Sequence, residues 1–253
     1  MMNSFFIKIM LFLVISHVSC SKSETDCCNK TEINTDNNIQ QKAKVKIMPL
    51  GASRVQGARP NYESYRYELW KLLEESQYPF DFIGTQKDFA NYPIADFDKD
   101  HEGRGGWTSS QINNNIDTWI SQTGVPDIVL FSAPGGNDIL THQPYRQVLE
   151  NIHSIIDKIQ KHNPKVIIVL EKMAPGHSSF NTPNRKALFD VIHSDVEKIA
   201  QEQTTETSKV VVVDMANGFE DAFLADVLHY NSIGAKFVAQ RYYHILTSFL
   251  EKE

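Results

Sequence analysis

Residues 166–170 read VIIVL and residues 210–213 read VVVV, two aliphatic runs without a polar residue between their ends. A strand that is apolar on both faces is typical of a parallel sheet that helices cover on both sides. Further short apolar runs at residues 45–48, 80–83 and 127–131 predict strands of the same sheet. These runs favour an α/β protein.

Stretches with helical spacing of apolar residues alternate with the predicted strands. The clearest is residues 143–162, where one helical face carries Val148, Ile152, Ile155, Ile156 and Ile159. Further helices are predicted at residues 62–76, 109–122, 183–203 and 232–251. Strands that alternate with helices predict a three-layer α/β/α sandwich with a central parallel sheet.

The composition of the 253-residue chain excludes several classes of protein. Hydrophobic residues make up 41% and charged residues 22%, which is ordinary for a globular protein and excludes a largely disordered chain. The 25 basic and 31 acidic residues give a net charge of −6, so we expect no nucleic-acid partner. The cysteines are Cys20, Cys27 and Cys28, and the histidines lack metal-ligand spacing, so we expect neither a metal nor a cofactor.

The first 20 residues have the pattern of an export signal. Lys8 precedes an apolar run at residues 9–15 that is too short to cross a bilayer comfortably, so a signal peptide is predicted over residues 1–20. The small residue before Cys20 is typical of a bacterial lipoprotein, with the lipid on Cys20 as a membrane attachment. Ordinary cleavage near Cys20 is the alternative. We therefore expect an exported protein, either an outer or cell-surface lipoprotein or a periplasmic or secreted one.

Residues 21–43 are polar and contain almost no aliphatic side chains. This composition predicts a flexible polar tether. Residues 44–253 show no second shift in composition and no internal repeat. Their length lies in the usual range for one domain, so a single domain is predicted there.

Residues that can perform chemistry lie at predicted strand ends and helix starts, where open α/β sheets bind their ligands. Ser53 follows the first strand and the small residues Gly51 and Ala52, although a simple glycine-rich turn is the alternative. Asp226 and His229 have the three-residue spacing that lets a carboxylate orient an imidazole. The free imidazole nitrogen can then face the Ser53 hydroxyl and take its proton.

A serine nucleophile also needs donors for the tetrahedral oxyanion. Gly106 precedes a predicted helix and offers a backbone N–H group, and Asn137 follows a predicted strand and offers a side-chain amide. Both residues also fit ordinary loop positions. His101, Glu102 and Arg104 precede Gly106 and are further candidates for the lining of the cleft.

Four short segments resemble, in chain order, the four sequence blocks of the SGNH (GDSL-type) hydrolases. They are residues 51–53, Gly106, residues 135–138, and the pair Asp226 and His229. The resemblance covers essentially the whole predicted domain. It implies a flavodoxin-like α/β/α fold and ester hydrolysis without a metal. It also implies that Ser53 is the nucleophile, His229 the base and Asp226 the residue that orients it. The oxyanion hole would comprise the N–H groups of Ser53 and Gly106 and the side chain of Asn137.

Three longer stretches resemble the acetyl xylan esterases and related carbohydrate esterases within that family. They are KIMPLGAS at residues 46–53, FDFIGTQ at residues 80–86 and DKDHEGRGGWTSSQI at residues 98–112. The implied activity is removal of acetyl groups from carbohydrate, with an acylated carbohydrate or another small ester as the substrate. A lysophospholipase or thioesterase of the same fold is one alternative.

A non-catalytic glycan-binding surface lipoprotein is the other alternative, and Ala52 favours it because the family carries Asp at this position.

Two further residues, Arg54 and Trp107, are candidates for substrate binding. Arg54 can recognise an anionic group such as a uronate carboxylate, or it can be a solvent-facing or internally paired arginine. Trp107 can stack on a sugar ring.

Overall fold

Seven strands form one sheet in the computed structural model, which describes residues 43–252. The strands are β1 (Val45–Gly51), β2 (Phe80–Phe82), β3 (Gln86–Lys87), β4 (Asp100–Gly103), β5 (Ile128–Phe131), β6 (Ile167–Lys172) and β7 (Lys209–Asp214). Their order is β3-β4-β1-β5-β6-β7, and β2 pairs with the first half of β1. All pairs are parallel except the short β3–β4 pair.

Helices connect the strands. They are α1 (Ser53–Gln56), α2 (Arg66–Glu75), α3 (Ser109–Thr123), α4 (Gly136–Leu140), α5 (Tyr145–His162), α6 (Pro183–Gln203) and α7 (Ser232–Leu246). A single 3-10 turn at Asp221–Phe223 precedes α7. The predicted alternation of strands and helices is therefore confirmed.

Two hydrophobic cores lie on the two faces of the sheet. Successive residues of a strand point to opposite faces, so Ile47 joins the core under α2 and α7, whereas Met48 joins the core under α3, α5 and α6. The α5 residues Ile152 and Ile155 are fully buried, and burial of each such side chain contributes roughly 1.5–3 kcal/mol. This arrangement confirms the predicted three-layer sandwich.

Some predicted boundaries were wrong, and tertiary contacts explain the clearest case. The helix predicted at residues 62–76 begins at Arg66, because the Glu63 N–H donates to the Tyr230 carbonyl at 2.8 Å and forms a β-bridge there. The helix predicted at residues 232–251 ends at Leu246.

The sheet is mixed rather than wholly parallel, because β3 and β4 form an antiparallel pair that the sequence analysis missed. The β4 sequence DHEG has no aliphatic residue, so its pattern does not indicate a strand. Its Glu102 side chain is nevertheless fully buried, where Thr85 and Arg104 donate hydrogen bonds to its carboxylate. Local polar contacts therefore replace the usual aliphatic packing.

The predicted signal peptide at residues 1–20, the lipidation of Cys20 and all but the last residue of the predicted tether lie outside the described residues. Among residues 43–252, no helix combines the length and apolar character that crossing a bilayer requires.

Candidate active site

The turn after β1 places Ser53 at the carboxyl edge of the sheet. β1 ends at Gly51, where a Cβ atom would lie only 2.8 Å from Val55 Cγ2 and 2.9 Å from the Ser132 carbonyl oxygen. This close approach requires glycine. α1 then begins at Ser53 itself, so the hydroxyl stands where strand passes into helix.

The structure brings Ser53, His229 and Asp226 together. His229 Nε2 lies 2.9 Å from Ser53 Oγ, and His229 Nδ1 lies 2.8 Å from Asp226 Oδ2. The other carboxylate oxygen, Oδ1, accepts hydrogen bonds from the backbone N–H groups of Leu228 and His229, each at 2.7 Å. One carboxylate therefore orients the imidazole and also closes the loop that carries it.

Asp226 is ionised at neutral pH. Burial alone would raise the pKa of its carboxyl group, but hydrogen bonds from the His229 ring and from the backbone of His229 and Leu228 outweigh this effect, so the pKa lies below its ordinary value. An ionised Asp226 can only accept a hydrogen bond, so it favours the tautomer in which Nδ1 carries the proton and donates to it. Nε2 is then the nitrogen that can accept the Ser53 proton.

Tyr62 covers one face of the His229 ring. The two ring centroids are 4.0 Å apart and the planes differ by 16°, which is a stacked arrangement. The Glu63–Tyr230 bridge holds this segment beside the histidine. Sequence reasoning missed Tyr62, because a tyrosine inside a predicted helix carries no sign of a distant stacking partner.

Each of the three predicted oxyanion donors has a hydrogen that no protein acceptor takes within the described residues. Within residues 43–252 the N–H groups of Ser53 and Gly106 donate no hydrogen bond, whereas the Gly105 N–H donates to Gln56 Oε1 at 2.6 Å. Asn137 Nδ2 donates to the Trp107 carbonyl at 2.8 Å, and the second hydrogen of this amide remains available. These donors are the ones that the sequence analysis proposed for an oxyanion hole.

A small apolar cavity of about 50 Å³ opens beside Ser53. Its polar lining includes Ser53, Arg54, Asn137 and His229, and its apolar wall is formed by Ala133, Leu140, Met173, Ala174, Phe189 and Leu228. Met173 directly follows β6, and its position at a strand end is a feature of the sequence that could have predicted its place in this wall. The contribution of α6 through Phe189 had no such indication.

The two substrate-binding candidates both make contacts within the protein. Arg54 donates to the backbone carbonyls of Leu228, Ala174 and Pro175, so it is the internally paired arginine of the alternative interpretation. The half-buried Trp107 ring packs 5.5 Å from the Trp119 ring. Trp107 contributes its backbone carbonyl to hold Asn137, and Arg54 also lines the cavity beside Ser53. Substrate binding by Arg54 and Trp107 stays a prediction.

His101 and Glu102, both predicted candidates for the lining of the cleft, are buried side chains of β4. His101 Nδ1 accepts a hydrogen bond from the Gly103 N–H at 3.0 Å. Burial, reinforced by the charge of Arg66, lowers the pKa of His101 to about 2. The imidazole is therefore neutral in the folded protein.

His101 makes the protein less stable in acid. Between its unfolded pKa of about 6.5 and its folded value, only the unfolded chain binds the proton, so stability falls as pH falls below 6.5. At pH 5 this loss amounts to about 2 kcal/mol. His101→Asn keeps an acceptor for the Gly103 N–H and removes the titration. Urea unfolding at pH 7.5 and pH 5 is expected to show a smaller loss for the variant, and equal losses would contradict this account.

Among the described residues, no group of three or more His, Cys, Asp or Glu side chains is arranged to hold a metal ion.

An α/β/α sandwich with a serine, a histidine and an aspartate in line at the carboxyl edge of its sheet defines a hydrolase of the SGNH type. Residues 50–237 match the sequence model of the GDSL-like lipase/acylhydrolase family, and the chain belongs to this family. It is a carboxylic ester hydrolase. The resemblance stated from the sequence blocks is confirmed.

Solved structures agree with this assignment. A carbohydrate esterase family 3 protein from Talaromyces cellulolyticus is 29% identical, with a TM-score of 0.70 over 81% of this chain and 97% of that one. A serine-to-alanine mutant of an acetyl esterase with an acetate ion is 28% identical, with a TM-score of 0.71 and the same coverage. A family 3 carbohydrate esterase from Clostridium thermocellum is 29% identical, with a TM-score of 0.67 over 82% of this chain and 100% of that one. A search of curated proteins found no match.

Proposed function

We propose that this chain is an exported serine esterase that removes acetyl groups from carbohydrate. The observation that carries the proposal is the Ser53–His229–Asp226 arrangement at the mouth of a small apolar cavity. Similar structures that are described as carbohydrate esterases and as an acetyl esterase support the choice of acyl group and substrate class.

The proposed reaction begins with His229 Nε2 taking the proton of Ser53 as Oγ attacks the ester carbonyl. The N–H groups of Ser53 and Gly106 and the Asn137 amide stabilise the oxyanion. The tetrahedral intermediate collapses, and His229 protonates the departing sugar alcohol. Water, activated by the same imidazole, then hydrolyses the acetyl-Ser53 ester and releases acetate.

The cavity supports a short acyl group. Its volume of about 50 Å³ is small, and the large side chains of Leu140, Met173 and Phe189 form its wall. Phe189 and Met173 are themselves packed in a buried cluster with Ile139 and Ile192, so the wall has little freedom to retreat. An acetyl methyl group fits such a space, whereas a long acyl chain needs a longer groove.

The test compares hydrolysis of p-nitrophenyl acetate and octanoate with acetate release from acetylated xylan. The proposal predicts fast cleavage of the acetate ester, weak cleavage of the octanoate ester, and acetate release from the polymer. A preference for octanoate would instead support the lysophospholipase or thioesterase alternative. Binding of the glycan without turnover of any ester would support the non-catalytic alternative that Ala52 favours.

Phe189→Ala is expected to shift acyl preference toward longer chains. Removing the ring deepens the cavity, and one methylene of pocket space typically changes discrimination 10–200-fold. We therefore expect the ratio of octanoate to acetate turnover to rise by roughly tenfold or more. Leu188→Ala is the matched control, because Leu188 is the adjacent α6 residue and is 40% exposed. An unchanged ratio in the Phe189 variant would place the acyl group elsewhere.

Export and attachment through a lipid on Cys20 belong to the same proposal. They are supported by the apolar run at residues 9–15 and by the placement of Cys20 after it. An exported location suits a substrate that is a polymer too large to enter the cell.

A further inference from the structure

Arg54 directly follows Ser53, and its guanidinium reaches the loop that carries His229. Arg54 Nε donates to the Leu228 carbonyl at 2.9 Å, although the two residues are 174 positions apart in the chain. Leu228 immediately precedes His229. The Arg54 side chain therefore links the residue after Ser53 to the residue before its histidine partner.

The same guanidinium also holds a second loop. Nη1 donates to the Ala174 carbonyl at 2.7 Å and Nη2 donates to the Pro175 carbonyl at 3.3 Å, just beyond the end of β6. Ala174 lines the cavity beside Ser53. The planar fork of arginine satisfies several acceptors in fixed directions, which the ammonium group of lysine does not.

An aromatic ring lies beside the Arg54 guanidinium. Its Cζ atom lies 4.8 Å from the centroid of the Tyr230 ring, a cation–π arrangement. The fully buried Glu171 carboxyl group accepts hydrogen bonds from Ser132 and Tyr242 at 2.6 Å and 2.8 Å. Burial raises the pKa of Glu171, and the charge of Arg54 is among the influences that oppose this rise. The guanidinium thus has acceptors, an aromatic face and a nearby acid.

The residue on the other side of Ser53 has no side chain that can make such a polar contact. Ala52 is the residue before Ser53 and gives no side-chain hydrogen bond to α1. The polar side-chain contacts from α1 to the His229 loop are those of Ser53 and Arg54.

We propose that Arg54 is a positioning residue for catalysis. It holds the turn that carries Ser53 and the loop that carries His229 together, and it thereby maintains the contact between Ser53 and His229. This inference rests on the proposed function, in which that contact transfers the proton. It differs from substrate recognition by Arg54, because it depends on the three carbonyl contacts within the protein and not on a group of the substrate.

The test measures kcat and KM of the full chain for p-nitrophenyl acetate in Arg54→Ala and Arg54→Lys. Misplacement of catalytic groups by about 1 Å costs about 100-fold in rate, so we expect kcat to fall by about 10- to 100-fold in the alanine variant, with KM within about twofold. The lysine variant is expected to retain more activity, because one donor still reaches a carbonyl. Arg146→Ala is the matched control, since this side chain is 92% exposed.

Chemical rescue separates a positioning role from a general effect on folding. Methylguanidinium is expected to raise kcat of folded Arg54→Ala several-fold and to leave the wild type and Arg146→Ala unchanged. Circular dichroism establishes that each variant is folded. A near wild-type kcat, an effect confined to KM, or a folded alanine variant that methylguanidinium does not rescue would each overturn the proposal. If Arg54→Ala does not fold, Arg54→Lys serves as the test. A lower kcat in the lysine variant supports the proposal, and a wild-type kcat overturns it.

A second readout keeps this inference separate from the acetyl assignment. The rate at which a fluorophosphonate labels Ser53 depends on the Ser53–His229 pair and not on the ester that the enzyme prefers. Slower labelling of Arg54→Ala, restored by methylguanidinium, supports the positioning role even if acetyl esters prove to be poor substrates. Wild-type labelling rates in this variant would contradict it.

Discussion

Ser53→Ala is expected to lower kcat for ester hydrolysis by roughly 10⁴- to 10⁶-fold, the range that loss of a serine nucleophile produces in triad enzymes. The substitution removes the oxygen that lies 2.9 Å from His229 Nε2. Alanine also fits the position, because the backbone turn is set by Gly51 and not by the hydroxyl group. We therefore expect the fold and the thermal unfolding midpoint to change little.

The measurement is single-turnover and steady-state hydrolysis of p-nitrophenyl acetate, with circular dichroism for the fold. Ser121→Ala is the matched control, since Ser121 is an exposed serine whose hydroxyl donates to the Thr118 carbonyl within α3. Wild-type turnover in the control and none in the Ser53 variant is the expected pair of results. Substantial turnover by folded Ser53→Ala would remove Ser53 from the role of nucleophile.

Asp226→Asn is expected to lower kcat by roughly 10³- to 10⁴-fold, as loss of the orienting carboxylate does in triad enzymes. Asparagine can keep the two backbone hydrogen bonds of the loop through its carbonyl oxygen. Its amide group then faces His229 Nδ1 and donates to it. This reverses the tautomer, so Nε2 carries the proton and cannot accept the one on Ser53.

The side chains of aspartate and asparagine have nearly the same shape. The asparagine variant therefore tests the orientation of His229 separately from the folding of the loop that carries it. Asp190→Asn is the matched control, an exposed carboxylate on α6 that pairs with Lys186. The expected pattern is a large loss of kcat with unchanged unfolding for Asp226→Asn and no loss for the control. A loss below tenfold would show that another group orients His229.

Much of the fold follows from local patterns. The aliphatic runs became β1, β2, β5, β6 and β7, and the helix predicted at residues 183–203 has these same bounds in α6. The elements that escaped prediction are short or polar. β4 reads DHEG and is stabilised by contacts from Thr85 and Arg104, and α4 spans only Gly136–Leu140. Neither is long enough to show an apolar period.

The catalytic candidates were also accessible from the sequence, because each stands at a strand end or helix start. Asp226 and His229 lie three residues apart, so one short loop sets their contact. Ser53 lies at the end of the first strand, and parallel strands bring such ends to one edge. The assignment of their roles came from the order of the four blocks and their resemblance to a family.

By itself, the sequence determined the layered α/β fold, the family and the identity of the candidate triad, because these depend on short-range periodicity and on motifs within a few residues. Only the tertiary structure decided that Arg54 is internally paired, that Tyr62 stacks on His229 and that Phe189 lines the cavity. The physical reason is that side-chain contacts act over a few ångströms, whereas their partners here are separated by more than a hundred positions. Packing of the two helical layers on the twisted sheet brings those positions together, and no local pattern encodes which side chains then meet.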